Sequence, residues 1–380
     1  MERVQVLLVG GRQTPNLLGT LLLSSDRVEL IVSRDERDKA PLLRKALAPM
    51  ESLAWPQEAM EVEANDLGAN LKACEQIYQR HKDKELVFNL TCGSKVMAIA
   101  AYEVARRHAG VKAFYLDSAN GRIVWLLGEE EASKPFRLSV EEYLTAYGRK
   151  PERKPVFEKL TFSREQACRG AAILARGGSA ARSLLERIRQ KQGSGRRAVD
   201  VETPQEHRFV AELANIGVLE EDEDTFWIRS NEDWNFFKGN WLEAYVWSEA
   251  VKQKDEQGHS LFDEVEIGLE IPSEAARKEI DVACLYQSQL LLCSCKAGRD
   301  PFSTSHLDEL SALSNLIGGR FCSRVFITNS TFSELHNSKR QGEFLAQAKQ
   351  REIVVVAGEE LTRIGAILKR QATEPDFRRV

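Results

Sequence analysis

Between residues 4 and 127, apolar runs of strand length alternate with amphipathic stretches of helical length, which restricts the first third of the chain to a layered α/β fold. Residues 4–9, 28–32 and 86–90 are nearly continuous apolar runs, as expected for strands buried on both faces. Residues 16–23, 67–81 and 96–108 read as the intervening helices. Residues 112–117 and 122–127 flank Asn120-Gly121, a hairpin signal. The expectation is a mainly parallel, doubly wound sheet. Ser139 and Glu142 form a capping box for a helix ending near Tyr147-Gly148, and the polar stretch 150–155, with Pro151 and Pro155, reads as a domain boundary.

The expected domains are 1–148, a helical connector over 149–230, and 231–380. Within the connector, Ser163 and Gln166 give a second capping box, and the helix from Pro204, Gly217 and the acidic turn 220–224 suggest a small winged-helix-like element. Fifty-three Lys and Arg against 57 Asp and Glu leave a net charge of −4, so no global basic field attracts nucleic acid. A local patch is the alternative, and Arg187, Arg189, Lys191, Arg196 and Arg197 around Gly193-Ser194-Gly195 form one, or else a solvated linker. No apolar run has the length to cross a bilayer and no leader pattern precedes the first strand, so the expectation is a cytoplasmic protein without membrane partners. Seven cysteines, several in apolar runs, and six scattered histidines show no zinc spacing, and disulfides are not expected.

The last part carries the chemistry. Residues 278–284 and 290–296 read as two strands joined at Ser288-Gln289. Period-two alternation puts Glu279 and Asp281 on one face of the first strand, and Ser294 and Lys296 on one face of the second. Upstream, the helix beginning at Trp241 brings Glu243 as a third anionic group. Carboxylates that hold divalent ions, with a lysine to orient the nucleophile, are what phosphodiester hydrolysis requires. This region resembles the PD-(D/E)xK restriction-endonuclease-like superfamily, whose core runs helix, three strands, helix, strand, an αβββαβ order. A strand over 262–271, a helix over 305–317 and a strand over 324–328 complete that order here. The resemblance implies Glu243, Asp281, Ser294 and Lys296 as catalytic residues. It also implies Mn²⁺ or Mg²⁺ held by Glu243, Asp281 and Glu279, because Ser294 replaces the acid usually found two residues before the lysine and a neutral hydroxyl is a poor ligand for a hard cation.

The first domain offers two strand-end loops suited to a phosphate or ribose. One runs Gly10-Gly11-Arg12-Gln13-Thr14-Pro15-Asn16, the other Asn89-Leu90-Thr91-Cys92-Gly93-Ser94-Lys95. Neither a Walker A motif nor GxGxxG is present, which disfavours a nucleotide-binding oxidoreductase. Asn89, Thr91, Gly93 and Lys95 match the Asn-x-Thr-Gly-Gly-Thr-Lys pattern of the CRISPR-associated Rossmann-fold (CARF) sensor domains, with Cys92 and Ser94 replacing a Gly and a Thr. The resemblance covers about residues 1–145. The segment Phe237-Lys238-Gly239-Asn240-Trp241-Leu242-Glu243 also resembles the CARF-nuclease effectors of type III CRISPR defence. This implies a homodimer that binds a cyclic oligoadenylate, commonly the tetra-adenylate, across its two-fold axis and then cuts DNA, RNA or both. The rival implication is a CARF sensor with a degenerate nuclease domain, acting as a ligand-binding regulatory protein.

Overall fold

The computed structural model describes residues 1–11, 13–48, 50–117, 122–128, 138–191, 193–273, 276–287, 289–298, 300–317, 322–334 and 338–376. It divides into two compact units, one built on Met1–Lys150 and one on Pro151–Tyr286 and Leu290–Val380.

The first unit runs β1 (Arg3–Val9), α1 (Thr14–Leu23), β2 (Arg27–Ser33), α2 (Lys39–Ala46), β3 (Met60–Val62), α3 (Leu67–Arg80), β4 (Glu85–Asn89), α4 (Lys95–Arg107), β5 (Lys112–Asp117), β6 (Arg122–Leu127) and α5 (Val140–Ala146). The sheet order is β3-β2-β1-β4-β5-β6. Its first five strands are parallel, and β6 returns antiparallel to β5 as the hairpin pattern requires, although Asn120 and Gly121 lie outside the described residues. Ala73, Cys74 and Ile77 of α3 and Met97, Ala101 and Val104 of α4 bury one face against Val4, Val6, Leu8 and Phe88. On the opposite face α1 approaches closely through Gly19, where a Cβ would lie 2.6 Å from the Asn89 amide nitrogen and 2.9 Å from the Phe114 ring. Helices on both faces define the doubly wound, Rossmann-like architecture. The strand β3 and the helix α2 escape the hydrophobic pattern, being a three-residue edge and two turns with three cationic residues and two alanines.

In the second unit the elements are β7 (Glu152–Arg153), α6 (Arg164–Arg176), α7 (Gly178–Gln190), β8 (Arg197–Ala198), α8 (Pro204–Asn215), β9 (Glu220–Asp222), β10 (Thr225–Ile228), α9 (Asn231–Asn235), a π-helical turn (Phe236–Asn240), α10 (Trp241–Val251), β11 (Glu264–Ile271), β12 (Lys278–Tyr286), β13 (Gln289–Cys295), α11 (Thr304–Leu316), β14 (Ser323–Thr328), α12 (Ser338–Gln350), β15 (Ile353–Ala357) and α13 (Ile364–Thr373). The main sheet has the order β15-β14-β13-β12-β11-β7, parallel from β13 to β15 and antiparallel between β12, β11 and β7. The expected order of helix, three strands, helix and strand is α10-β11-β12-β13-α11-β14.

The two-proline stretch read as a boundary contributes an edge strand. Arg153 pairs with Leu269 and Glu152 with Glu270, and the ion pairs Arg277–Glu152 and Arg153–Glu266 clamp it. The residues read as a connector form three helices and a small antiparallel sheet, β8-β10-β9, with capping boxes at Ser163/Gln166 and Thr203/Glu206. They share one hydrophobic core with the main sheet, in which Leu184, Phe209 and Phe226 join Trp241, Val282 and Leu291. The basic patch of the sequence is mostly neutralised. Arg187 pairs with Glu202 and Glu206, Lys191 with Asp200, and Arg196 with Glu220 and Asp222, while Arg197 is buried over the Trp234 ring. These acids stand nine to twenty-six residues away in sequence, outside the window that defined the patch.

Trp241, at the start of α10, is wholly buried, and its Nε1 has no hydrogen-bond partner among the described residues. Truncation to Ala should cost about 3–5 kcal/mol through the cavity left behind. Trp241→Phe should fall within about 1.5 kcal/mol of the wild type, because the lost area is offset by removal of a desolvated donor. Urea denaturation of the three proteins checks this, and equal losses for Phe and Ala would show that the N–H is satisfied.

Candidate functional site

Asp281 is 8% exposed in the middle of the second sheet, and its Oδ2 accepts a 2.7 Å hydrogen bond from the backbone N–H of Cys295 on the neighbouring strand. The hairpin therefore holds the carboxylate by main chain, independent of any flexible side chain. Lys296 leaves the end of β13 and brings its Nζ to 3.9 Å from the same oxygen. Its own backbone N–H is tied to the Ile327 carbonyl at 2.8 Å, which anchors the lysine's stem to β14.

Glu243 enters from α10. The helical run from Asn231 to Val251 is continuous, and the wider π-helical turn at Phe236–Asn240 shifts its phase just before Glu243. Glu243 thereby lines a cleft of about 580 Å³, which also receives Glu279, Lys154, Lys159 and Lys238. Burial, then the charges of Asp281 and Glu279, hold the Glu243 carboxyl well above the usual carboxylate range. Burial raises Asp281 to about 6, against the opposing pull of Lys296 and the Cys295 N–H. The proximity of Asp281 to Glu243 is thus visible in its destabilisation of the charged form of Glu243. Oxygen-only donors with uncompensated charge are a chemical match for a hard divalent cation.

Of the three carboxylates expected at a metal, Glu279 stands apart. It is nearly half-exposed and pairs with Lys154 at 2.9 Å, and Lys154 also reaches Glu270 at 3.1 Å. Among the described residues, no three Asp, Glu, His or Cys side chains gather closely enough to hold a metal ion. Ser294 is half-buried on β13, in register with Phe326 of β14. Sequence reasoning missed Lys154, Lys159 and Lys238 as cleft residues. For Lys154 no local signal exists, since its partners lie more than a hundred residues downstream, whereas Lys238 sits inside the segment 237–243 already singled out.

In the first unit the two candidate loops meet where the strand order reverses, at the carboxyl ends of β1 and β4. They approach back to back. A Cβ on Gly10 would lie 2.9 Å from the Gly93 nitrogen, and one on Gly93, whose φ is +77°, would lie 2.9 Å from the Leu8 Cβ. Several residues expected to touch a ligand brace the loops instead. Asn16 is fully buried and donates to the Leu8 carbonyl at 3.0 Å. Asn89 is fully buried, donates to the Pro15 carbonyl at 3.1 Å, and accepts from the N–H and hydroxyl of Thr91. Thr91 in turn accepts from the Leu116 N–H at 2.7 Å, and Thr14 donates to the Tyr147 hydroxyl at 3.2 Å. Gln13 is buried and bonds the Gly10 carbonyl, and Cys92 is buried too. Ser94 caps α4 by accepting from the Met97 N–H. That leaves Gly11 and Lys95 as exposed members, with Gly93 and Ser94 half-buried; Arg12 lies outside the described residues. Lys95, at the first position of α4, stands at the N-terminal end of that helix, a favourable place for an anion.

The fold and its paired sites define a two-part protein, a Rossmann-like ligand-binding unit followed by a restriction-endonuclease-like unit. Residues 4–143 match the family model of the Card1 CARF domain, and residues 230–374 match that of the Card1-like endonuclease domain. The chain belongs to the CARF-domain endonucleases, with a nuclease domain behind a CARF domain. Solved structures similar to it include protein VC1899 from Vibrio cholerae, at 16% identity and a TM-score of 0.76 over 99% of this chain and 100% of that one. Can2 from Sulfobacillus thermosulfidooxidans, solved in complex with cyclic tetra-adenylate, is similar at 19% identity and a TM-score of 0.71, covering 96% and 98%. A type III CRISPR defence DNA nuclease activated by cyclic oligoadenylate matches at 16% identity and a TM-score of 0.51, covering 86% of this chain and 45% of that one. These likenesses establish the shared fold. No curated protein sequence matches the chain. Among the described residues, no helix is long and apolar enough to cross a membrane.

The unfolded chain loses the Asp281 proton near 3.8 and the folded chain near 6, so stability contributed by this residue falls as pH rises between those values. Asp281→Asn keeps an acceptor for the Cys295 N–H and removes the buried charge. At pH 8 and without divalent ions it should exceed wild-type stability by on the order of 2–3 kcal/mol, with the advantage closing towards pH 4. Urea denaturation across that range measures it, and a less stable Asp281→Asn protein at pH 8 would contradict the electrostatic assignment.

Proposed function

We propose that the protein is a divalent-metal-dependent nuclease switched on by a cyclic oligoadenylate, working as a homodimer in the cytoplasm. The observation that carries the reading is the convergence of Asp281, Glu243 and Lys296 beside a lysine-lined cleft, in a chain whose first unit is a CARF domain. Glu243 and Asp281 are the residues that would hold Mn²⁺ or Mg²⁺, with Glu279 available once released from Lys154. The ion, when bound, supplies Lewis-acid activation of the phosphodiester and of water.

The chain's own residues do the rest. Lys296, fixed by its strand, orients the attacking water and balances charge gathering on the phosphate. Lys159 and Lys238 draw the phosphate backbone into the cleft, where Lys238 already rests over the Trp234 ring at 4.8 Å. Phosphodiester chemistry is common to DNA and RNA, and both are candidate substrates. The complex of Can2 with cyclic tetra-adenylate supports the tetra-adenylate as activator. A ligand with two-fold symmetry suits a two-fold dimer, one ring to two chains. Ser294, at the position of an expected acid, favours a second reading in which the nuclease domain is inert and the protein is a ligand-binding regulator. Cleavage assays separate the two.

The wild type should cut supercoiled DNA or single-stranded RNA only with both cyclic tetra-adenylate and Mn²⁺ or Mg²⁺. Asp281→Ala and Lys296→Ala should each lose cleavage while keeping ligand affinity, and EDTA should act as they do. Cleavage that survives Asp281→Ala or EDTA would refute metal catalysis here, and ligand binding without any wild-type cleavage would establish the regulatory reading. In the first unit, Lys95→Ala should weaken cyclic tetra-adenylate binding about tenfold or more, the effect of losing a charge-assisted contact. Calorimetry giving unchanged affinity would remove Lys95 from the ligand site.

A further inference from the structure

A second polar cleft, of about 750 Å³, lies within the second unit between α7 and the carboxyl ends of β13 and β14. Its position follows from chain direction, because β13 and β14 are parallel and the crevice beyond such strand ends is where sheets of this kind take ligands. Gly298, on its rim, stands two residues after Lys296.

One wall is a single face of α7. Ala181, Leu184, Leu185 and Ile188 turn into the core, which leaves Ser179, Arg182, Ser183, Glu186 and Arg189 as a stripe at helical spacing along the cleft. The opposite wall brings Arg340, Asn329 and Ser330. Asn329 is only 7% exposed, yet its Oδ1 has no hydrogen-bond partner among the described residues. A buried acceptor of this kind is satisfied when a ligand supplies an N–H or O–H.

The charges are mixed. Arg340 pairs with Asp300, and Arg189 approaches Glu186 at 3.6 Å. Arg340 and Asp300 are both about half-exposed, and a pair of this kind holds weakly, whereas Arg189 is only 12% exposed and serves to position the wall. One hydrogen bond links the walls of this cleft and the catalytic one. Arg189 Nε donates to the Lys238 carbonyl at 2.9 Å, so the residue lining one cavity is bonded to a residue lining the other.

We infer that this cleft is a second nucleic-acid subsite, which grips the strand on one side of the phosphate being cut while the lysine cleft holds the other side. Cations alone would suit any phosphate. Arg182 and Arg340 beside a buried orphan acceptor suit a nucleotide, whose base amino group or ribose hydroxyl donates to Asn329 as its phosphates meet the arginines. The inference gives α7 a role in substrate binding, and it rests on the nuclease reading above.

The test uses the full chain carrying Asp281→Asn, with cyclic tetra-adenylate present, and reads binding of fluorescently labelled single-stranded DNA and RNA oligonucleotides by anisotropy over a range of salt. Arg182→Ala and Asn329→Ala are added singly, with Arg196→Ala as a control cation outside both clefts. Arg182→Ala should weaken binding about tenfold and lower the salt slope by about 0.7. Asn329→Ala should weaken binding several-fold without changing that slope, and Arg196→Ala should behave as the parent. A preference for RNA that disappears in Asn329→Ala would place the donor on the ribose. If the parent binds oligonucleotide and both cleft variants match it, with melting temperatures unchanged, the subsite is refuted and the nuclease reading stands. If the parent binds neither oligonucleotide, both fall together.

Discussion

The hydrogen bond from the Cys295 N–H to Asp281 fixes a negative charge in a place where the protein interior opposes it. Main-chain anchoring removes the freedom by which a buried carboxylate would turn towards water. The charge is offset only in part by Lys296, and Glu243 adds a second carboxyl that burial and Asp281 both push towards protonation. The surrounding architecture sustains this arrangement. The π-helical turn sets the phase of α10, Trp241 and Leu242 lock that helix into the core, and the tie from Lys296 to β14 keeps the lysine at the strand end. Strain of this electrostatic kind beside a cleft marks a site prepared for an ion and a phosphate rather than for structural stability.

The first unit is organised by a steric constraint instead. Gly10 packs on the Gly93 backbone because it carries no Cβ, and Gly93 packs on Leu8 for the same reason, which allows the loops after β1 and β4 to close on each other at the reversal of strand order. The network of Asn16, Asn89 and Thr91 then holds both loops from beneath. The polar residues of the family pattern divide into two kinds, those that build the cradle and those, led by Lys95, that face outward from it. A motif read from sequence merges the two, since buried and exposed hydroxyl or amide groups have the same letters.

What the sequence made legible follows the range of the interactions. Long apolar runs such as Val4–Val9 identify their strands because burial on both faces demands them, and Ser139, Ser163 and their acid or amide partners announce helix starts through contacts three residues apart. Asp281 and Lys296 were legible through alternation in one hairpin. Features built from distant partners were hidden. The strand β7 lies in a polar, proline-bearing stretch and exists through pairing with Leu269 and Glu270. The diversion of Glu279 to Lys154 and the neutralisation of the 187–197 patch are likewise long-range charge pairings, and the Arg-lined cleft beside α7 depends on chain segments that meet only in the fold.

The central claim is that Glu243 and Asp281 carry protons that a divalent cation displaces. Calorimetric titration of Mn²⁺ into the wild type at pH 6, repeated in buffers of different ionisation enthalpy, counts those protons directly. The account predicts that about one proton is released per ion bound, that release declines as pH rises, and that Asp281→Asn binds the ion far more weakly. Tight binding with no proton release at pH 6, or binding unchanged in Asp281→Asn, would place the ion elsewhere and contradict the account.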